Sequence, residues 1–202
     1  MSEIAGFILT GGASSRMGTD KARLLLQGQT FVARITQALT GVAAPLSIVS
    51  ARHSDVQAGL PVVTDIHTGC GALGGLHAAL TWARTPWIVV VSCDLPFVTG
   101  ELFTYLAALR DEQSEAVAPL QADGRQQPLC ALYARQPCLR AATRLLEIGD
   151  YRPRSLLQTV RTRWVEPVEW QPLHNSQLFF CNVNDPDDYA HALAQAESRD
   201  EG

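Results

Sequence analysis

The sequence predicts an α/β protein with a mostly parallel sheet and helices on its faces. Short β-rich apolar runs alternate along the chain with stretches of helical periodicity, which is the pattern of such folds. The chain has 202 residues, of which 47% are hydrophobic, so it is long enough to bury one sizeable core. We therefore expect a single domain over 1–202, with a frayed tail from about 197.

The elements follow in order from these patterns. The run "IAGFILT" at the start of the chain is typical of a buried strand, and Phe31, Ile35 and Leu39 have the spacing of one helix face. The predicted strands cover 4–10, 45–51, 60–65, 87–94, 115–120, 128–134 and 177–183, and the predicted helices cover 30–39, 73–83, 99–109, 136–148 and the stretch after 185. Asp185 is the predicted N-cap of the last helix, with Pro186 at its first position. The less periodic segment 151–176 is expected to wrap the edge of the sheet.

Composition excludes several classes of function. Lysine and arginine number 16 against 20 acidic residues, so there is no basic surplus to hold a nucleic acid. The apolar runs are strand-length and too short to cross a membrane, and the N-terminus "MSEIAG" has no basic region of a signal peptide. The five cysteines contain no C-x-x-C pair, which argues against a disulfide framework or a zinc site. We expect a cytoplasmic protein with reduced thiols.

The stretch "ILTGGASSRMGTDKARLLLQG" near the N-terminus has more glycine and positive charge than a turn requires. Gly11 and Gly12 let successive backbone N–H groups approach an anion, and Arg16 and Lys21 would add charge to the same phosphates. The apolar run after Lys21 should anchor it against the sheet. The alternative is a mobile loop whose basic residues face water. The motif is not a Walker P-loop, because Gly18 is not followed by lysine.

A second glycine cluster, "GCGALG" (Gly69 to Gly74), matches the G-x-G-x-x-G fingerprint of dinucleotide-binding proteins. The residues 65–68 lie between the apolar run of the preceding strand and the first glycine, so the turn is not the tight one that the fingerprint needs. This interpretation would also leave the N-terminal glycine loop without a purpose. A dehydrogenase remains a weaker alternative.

The run "VVVSCDLPF" places Asp94 at the mouth of a buried strand. A carboxylate there can reach a divalent cation, and Mg²⁺ prefers one or two carboxylates together with phosphate oxygens and water. The alternative is an aspartate that caps a helix or a turn. Together with the basic loop, Asp94 indicates phosphoryl or nucleotidyl transfer.

Four segments resemble the signatures of the molybdenum cofactor guanylyltransferases, the MobA family: "LTGGASSRMGTDKARL", "CDLPF", "QPLCALY" and "NVNDPDD". The resemblance extends from Ile4 to about Ala194. It implies a Rossmann-like three-layer nucleotidyltransferase fold with a mostly parallel mixed sheet. It also implies GTP and Mg²⁺ as requirements and the molybdopterin cofactor as acceptor.

The resemblance also assigns site residues. It implies contacts with the nucleotide from Leu9, Thr10, Gly11, Gly12, Lys21, Asp65 and Asp94, catalytic roles for Arg16, Lys21 and Asp94, metal binding by Asp94, and an acceptor-side position for Asn182 and Asn184. Two positions depart from the family pattern. Thr10 stands where alanine is usual and adds a hydroxyl beside the nucleotide. The family's asparagine after the second strand falls on Val49, next to Ser50, and neither side chain is an amide.

These observations predict transfer of GMP from GTP to the molybdopterin cofactor, with release of pyrophosphate. The alternatives are a related nucleotidyltransferase that uses CTP or a sugar phosphate, and a catalytically silent nucleotide-binding module. We expect a monomer, with proteins that deliver the cofactor or receive it as further partners.

Overall fold

The computed structural model describes residues 3–10, 21–50, 59–65, 67 and 69–197. The strands in these ranges are β1 (Ile4–Leu9), β2 (Leu25–Leu26), β3 (Gln29–Thr30), β4 (Leu46–Ser50), β5 (Val62–Thr64), β6 (Trp87–Ser92), β7 (Ala116–Pro119), β8 (Cys130–Ala134) and β9 (Thr162–Val165). The α-helices are α1 (Phe31–Leu39), α2 (Gly71–Trp82), α3 (Gly100–Ala108), α4 (Arg135–Glu147), α5 (Pro153–Thr159), α6 (Pro167–Trp170) and α7 (Pro186–Glu197). Two short 3-10 helices cover Lys21–Arg23 and Ser176–Leu178.

One mixed sheet holds seven strands in the order β5-β4-β1-β6-β8-β7-β9. Only β8 runs antiparallel to its neighbours, β6 and β7, and the other adjacent pairs are parallel. The predicted mostly parallel mixed sheet is thereby confirmed. Because β5, β4, β1 and β6 run in one direction, their carboxyl ends meet at one edge, where ligands bind in such sheets.

Both faces of the sheet are buried, which gives the fold its three layers. Successive side chains of a strand point to opposite faces, and β1 shows the consequence. Ile4 and Ile8 belong to the core that includes residues of α1 and α3, whereas Phe7 and Leu9 belong to the core that includes residues of α2, α4 and α5. This double burial explains why the strand is apolar at almost every position. In the described ranges, no helix has the length and apolar character needed to cross a membrane.

The prediction of a strand at 177–183 is wrong. Successive backbone bonds from Leu178 to Asn175, from Phe179 to Ser176 and from Cys181 to Leu178 coil the chain into a 3-10 helix and a turn. The apolar side chains are buried, but in different places: Phe179 joins the core beside α1 and α3, and Leu178 joins a separate cluster near α7. High β-propensity therefore reflects burial here and not pairing in a sheet.

The segment 151–176 does not simply wrap the edge of the sheet, because it supplies the edge. It contains α5, then β9, which pairs parallel to β7 as the outermost strand, and then α6. Two of its prolines, Pro153 and Pro167, occupy the first turn of α5 and α6. Proline suits that position because its fixed φ matches the helix and its missing N–H would be unpaired there anyway.

A third apolar cluster joins the two ends of the chain. Leu26 of β2 and Phe31, the first residue of α1, pack with Val183 and with Ala192 and Ala196 of α7. The Tyr189 hydroxyl donates to the backbone oxygen of Leu25 at 2.6 Å, and the Gln27 amide donates to that of Ala196 at 3.0 Å. The apolar run after Lys21 is therefore anchored against α7, and not against the main sheet as expected.

The N-cap predicted for the last helix is confirmed. The Asp185 carboxylate accepts the backbone N–H of Asp188 at 2.9 Å, and Pro186 is the first residue of α7. This arrangement satisfies one of the donors that a helix N-terminus leaves unpaired. The tail after Glu197, for which we expect fraying, lies outside the described residues.

Candidate active site

The end of β1 brings Leu9 and Thr10 to the edge of the sheet. The Leu9 side chain is buried in the core, and its backbone oxygen accepts the N–H of Cys93 at 3.0 Å. The Thr10 hydroxyl donates to the backbone oxygen of Val49 at 3.2 Å, so it ties β1 to β4. These bonds fix the point from which the glycine loop departs. Gly11, Gly12 and Arg16, which belong to that loop, lie outside the described residues.

Val49 and Ser50, the residues at the family's asparagine position, are buried and have no amide side chain that could replace the asparagine. Val49 is buried in the core, and the space beside it is where Gly75 of α2 approaches the sheet. Ser50 is buried as well, and its backbone oxygen accepts the N–H of Asp65 at 3.1 Å. At the end of β4 the chain thus contributes to packing and to the position of Asp65.

Asp65 follows β5 and lies against the first turns of α2. Its carboxylate accepts the backbone N–H of His67 at 2.9 Å. A Cβ added at Gly74 would lie 3.1 Å and 3.2 Å from the two carboxylate oxygens of Asp65 and 3.0 Å from the backbone oxygen of His67. The last glycine of the "GCGALG" cluster therefore allows α2 to approach Asp65. This packing accounts for the glycine without a bound dinucleotide.

His77 of α2 is a buried polar residue next to His67. It is 8% exposed, its Nε2 lies 3.1 Å from the Thr143 hydroxyl of α4, and its ring meets that of His67 edge-on with centroids 4.7 Å apart. Burial, and after it the neighbouring His67, lowers the pKa of His77, and the Asp65 charge opposes the shift. The neutral imidazole is therefore favoured at neutral pH. We assign His77 a structural role.

Asp94 lies just beyond β6, with its side chain on the wall of a large cavity. The Asp94 carboxylate makes no hydrogen bond or ion pair within the described part of the chain. Its backbone oxygen accepts the N–H of Val183 at 2.9 Å. This one bond brings the "NVN" segment near the C-terminus to the end of β6.

Val183 is buried and the asparagines on either side of it are exposed, so the bond between Val183 and Asp94 brings both amides near the end of β6. Asn182 lines the same cavity as Asp94. The Asn184 side-chain oxygen accepts a hydrogen bond from the Lys21 ammonium at 3.1 Å, across 163 positions of sequence. Lys21, Asp94, Asn182 and Asn184, all predicted from the sequence, are therefore brought to one place.

The cavity beyond Asp94 has a volume of about 880 Å³, in the range of sites for small molecules. The wall away from Asp94 comes from two segments, 121–129 and 151–158, in which the sequence predicted no site residue. Tyr151 is 44% exposed there. The signal in the sequence was the run "DYRPRS", which places polar and aromatic residues before and in the first turn of α5.

The arginines of this cavity differ in their partners. Arg125 pairs with Asp123 at 2.6 Å, and Arg152 pairs with Asp150 at 2.8 Å. The hydrogen bonds from Arg152 lower the pKa of Asp150 well below its usual range. Arg154 makes no ion pair with any residue that the structure describes. Among the arginines that line the cavity, Arg154 is therefore the one available to bind an anionic ligand.

Comparison with known proteins gives a consistent result. The model of the family described as "MobA-like NTP transferase domain" matches residues 6–166. A probable molybdenum cofactor guanylyltransferase from Pelotomaculum thermopropionicum is 34% identical over 201 residues, which covers 98% of this chain and 96% of that protein. One with the same description from Bacillus cereus (strain AH820) is 30% identical over 200 residues, covering 95% and 96% of the two chains.

Solved structures resemble the fold over nearly its whole length. Molybdopterin-guanine dinucleotide biosynthesis protein A from Archaeoglobus fulgidus superposes with a TM-score of 0.79 at 22% identity, covering 96% of this chain and 99% of that one. The 2-C-methyl-D-erythritol 4-phosphate cytidylyltransferase from Thermus thermophilus gives 0.68 at 17% identity, covering 95% and 98%. At these identities the likeness concerns the fold alone.

Proposed function

The chain belongs to the family of MobA-like NTP transferases, and from this premise we propose that it transfers GMP from GTP to the molybdopterin cofactor and releases pyrophosphate. The observation that carries the proposal is the 3.1 Å contact between Lys21 and Asn184 beside the end of β6. Lys21 directly follows the glycine loop, on the side proposed for GTP, and Asn184 belongs to the segment proposed for the acceptor. Their contact supports a site at which the phosphates of the two substrates are brought together.

The reaction joins two anions. A terminal phosphate oxygen of the acceptor attacks the α-phosphorus of GTP, a new P–O bond forms, and the bond to the leaving pyrophosphate breaks. The attacking oxygen is already deprotonated, so no general base is required. The protein has to align the groups and screen their repulsion. We assign that screening to Lys21, assisted by Arg16.

Asp94 is the residue that we propose for a divalent cation, with Mg²⁺ as the expected ion. Its carboxylate faces the cavity without a partner among the described residues, so it is available as a ligand. In the same part of the chain, no group of three or more His, Cys, Asp or Glu side chains could hold a metal. The remaining ligands would be phosphate oxygens and water, which suits Mg²⁺. When bound, the cation would stabilise the charge on the reacting phosphates.

For the nucleotide we propose the edge formed by Leu9, Thr10, Gly11, Gly12 and Asp65. Leu9 and Thr10 are fixed by bonds to Cys93 and Val49, and Asp65 by its bonds to Ser50 and His67. Such a rigid frame suits a backbone loop that must approach phosphates closely.

The test is incubation of the protein with Mg²⁺, the molybdopterin cofactor and each nucleoside triphosphate in turn, with measurement of pyrophosphate and of the dinucleotide product. We expect turnover with GTP only. Turnover with CTP would instead identify a cytidylyltransferase, the closest alternative. Binding of GTP without any pyrophosphate would identify a silent nucleotide-binding module.

A further inference from the structure

We propose that the carboxamide of Gln126 recognises the acceptor by hydrogen bonding to the amide-like edge of its pterin ring. The inference rests on the proposed function, because it names a residue that selects the second substrate. Gln126 lies in the wall of the 880 Å³ cavity. Its side-chain oxygen is buried and has no hydrogen-bond partner in the part of the chain that the structure describes.

The backbone around Gln126 is fixed, so the unpaired oxygen is not a result of a loose loop. Gln126 pairs with Leu120 in an isolated antiparallel bridge. Gln121 accepts the N–H of Gly124 at 2.8 Å and donates its own to Arg125 at 2.9 Å, and Gln127 donates to Pro119 at 3.1 Å. A buried amide oxygen on such a rigid turn is unfavourable until a donor reaches it. Rotation about the last torsion of the side chain, which is soft, would turn this oxygen to the cavity.

Besides the Gln126 amide, the cavity contains an aromatic surface on which a flat heterocycle can stack. Tyr151, which is 44% exposed, lines the same cavity, and aromatic rings provide stacking area for planar ligands. The 2-amino-4-oxopyrimidine edge of a pterin carries N–H donors next to a carbonyl acceptor. A carboxamide matches this pattern because it also combines one acceptor with donors.

Guanine carries the same edge, so GTP is a second possible source of the ligand chemistry. Position favours the acceptor. The cavity that contains Gln126 includes the acceptor-side residue Asn182. Of the described residues that we assign to the nucleotide, only the proposed metal ligand Asp94 lines it, and Leu9, Thr10, Lys21 and Asp65 do not. We therefore assign Gln126 to the pterin and not to the guanine.

The experiment uses Gln126→Met, which keeps the length of the side chain and removes its hydrogen-bonding groups. We expect the KM for the acceptor to rise about tenfold or more, as when a substrate donor loses its partner, while the KM for GTP stays within about twofold. A fluorescence titration should show the same loss of affinity for free 6-hydroxymethylpterin, with unchanged affinity for GMP. The variant should unfold at the wild-type temperature or above, because a buried unpaired oxygen has been removed.

Two further variants separate recognition from packing. Gln126→Glu retains an oxygen that accepts N–H donors, so it should bind the pterin within about threefold of the wild type. Gln136→Met makes the same change as Gln126→Met on the exposed first turn of α4, outside the cavity, and should leave both affinities unchanged.

The outcomes are distinct. Wild-type pterin affinity and acceptor KM in Gln126→Met would overturn the inference, and so would weaker GMP binding with unchanged pterin binding. Absence of pyrophosphate release by the wild-type protein would contradict the proposed function instead. The pterin titration does not depend on turnover and would still test Gln126.

Discussion

At the scale of single residues, Asp94 and Lys21 carry opposite charges on two sides of the proposed reaction. Asp94 is held by its backbone bond to Val183, and Lys21 by its side-chain bond to Asn184. The same short C-terminal segment thus positions both the proposed metal ligand and the proposed phosphate-binding cation. Their substitution should affect chemistry more than folding.

The first prediction concerns Asp94→Asn. The substitution conserves shape and should leave the thermal unfolding temperature near that of the wild type. Turnover should fall roughly a hundredfold or more, because stabilisation of phosphate charge by a metal contributes several kcal/mol. Asp187→Asn, at an exposed position in the first turn of α7, is the matched control and should retain full turnover. Near-normal rates of Asp94→Asn at limiting Mg²⁺ would exclude Asp94 as a ligand.

The second prediction distinguishes Lys21 from Arg16. A lysine acts as a point charge that tolerates the changing geometry of the phosphates, whereas the arginine fork favours one planar arrangement. Lys21→Met should therefore lower kcat, and Arg16→Met should mainly raise the KM for GTP. Steady-state kinetics of both variants measure the difference. If Lys21→Met changes only the KM, the assignment of roles is incorrect.

At the scale of elements, the contact between α2 and the loop after β5 controls where the Asp65 carboxylate lies. Two adjacent glycines of α2 meet different neighbours. The space beside Gly74 holds the Asp65 carboxylate and a backbone oxygen, whereas the nearest neighbours of a Cβ at Gly75 would be the apolar side chains of Leu9 and Val49, at 3.4 Å or more. Alanine substitutions at Gly74 and Gly75 therefore distinguish a displacement of Asp65 from a change in helix propensity.

We predict that Gly74→Ala raises the KM for GTP several-fold, because the new methyl group must displace the Asp65 carboxylate by a few tenths of an ångström. Gly75→Ala should leave that KM unchanged. It should also stabilise the protein by up to about 0.5–1 kcal/mol, the usual gain of alanine over glycine inside a helix. Equal effects of the two substitutions on GTP would show that α2 does not position Asp65.

The elements also show what sequence patterns can and cannot predict. Strands β1 and β6 were predictable because burial on both faces demands apolar residues at nearly every position. The run 177–183 is also rich in apolar residues, but it forms a 3-10 helix and a turn, and its apolar side chains pack in two different clusters. The β2–β3 hairpin was missed because its two-residue turn uses Gln27 at φ 51° next to Gly28, where asparagine or aspartate is the usual signal.

The site divides in a similar way. Lys21, Asp94, Asn182 and Asn184 belong to short contiguous motifs, which a single sequence reveals. Gln126 and Tyr151 act through their position in a shared cavity, and the two segments that carry them meet only in the folded chain. Their residue types are common on surfaces, so no local pattern distinguishes them.

At the scale of the whole molecule, the third apolar cluster couples the C-terminal helix to the segment that follows Lys21. We predict that Tyr189→Phe, which removes the hydroxyl bound to the Leu25 backbone oxygen, lowers the free energy of unfolding by about 0.5–1.5 kcal/mol. It should also lower kcat, because the segment that holds Lys21 loses a support. Chemical denaturation and steady-state kinetics measure the two effects.

Thr85→Val is the control for this prediction. It removes a hydroxyl that donates to the backbone oxygen of Trp87 at 2.7 Å, at the amino end of β6 and away from the site at its carboxyl end. A comparable loss of stability with normal kcat is expected. If both variants lose kcat in proportion to stability, the C-terminal helix has no specific effect on Lys21.

The contact between Lys21 and Asn184 also has a consequence for the biogenesis of the protein. Its partners are 163 positions apart, so Lys21 cannot meet Asn184 until the intervening chain has been synthesised and has left the ribosome. A nascent or C-terminally clipped chain would contain the glycine loop and the end of β6 without the segment that joins them. Such molecules would lack the contact that joins the two proposed substrate sides, and we expect them to consume neither GTP nor the acceptor.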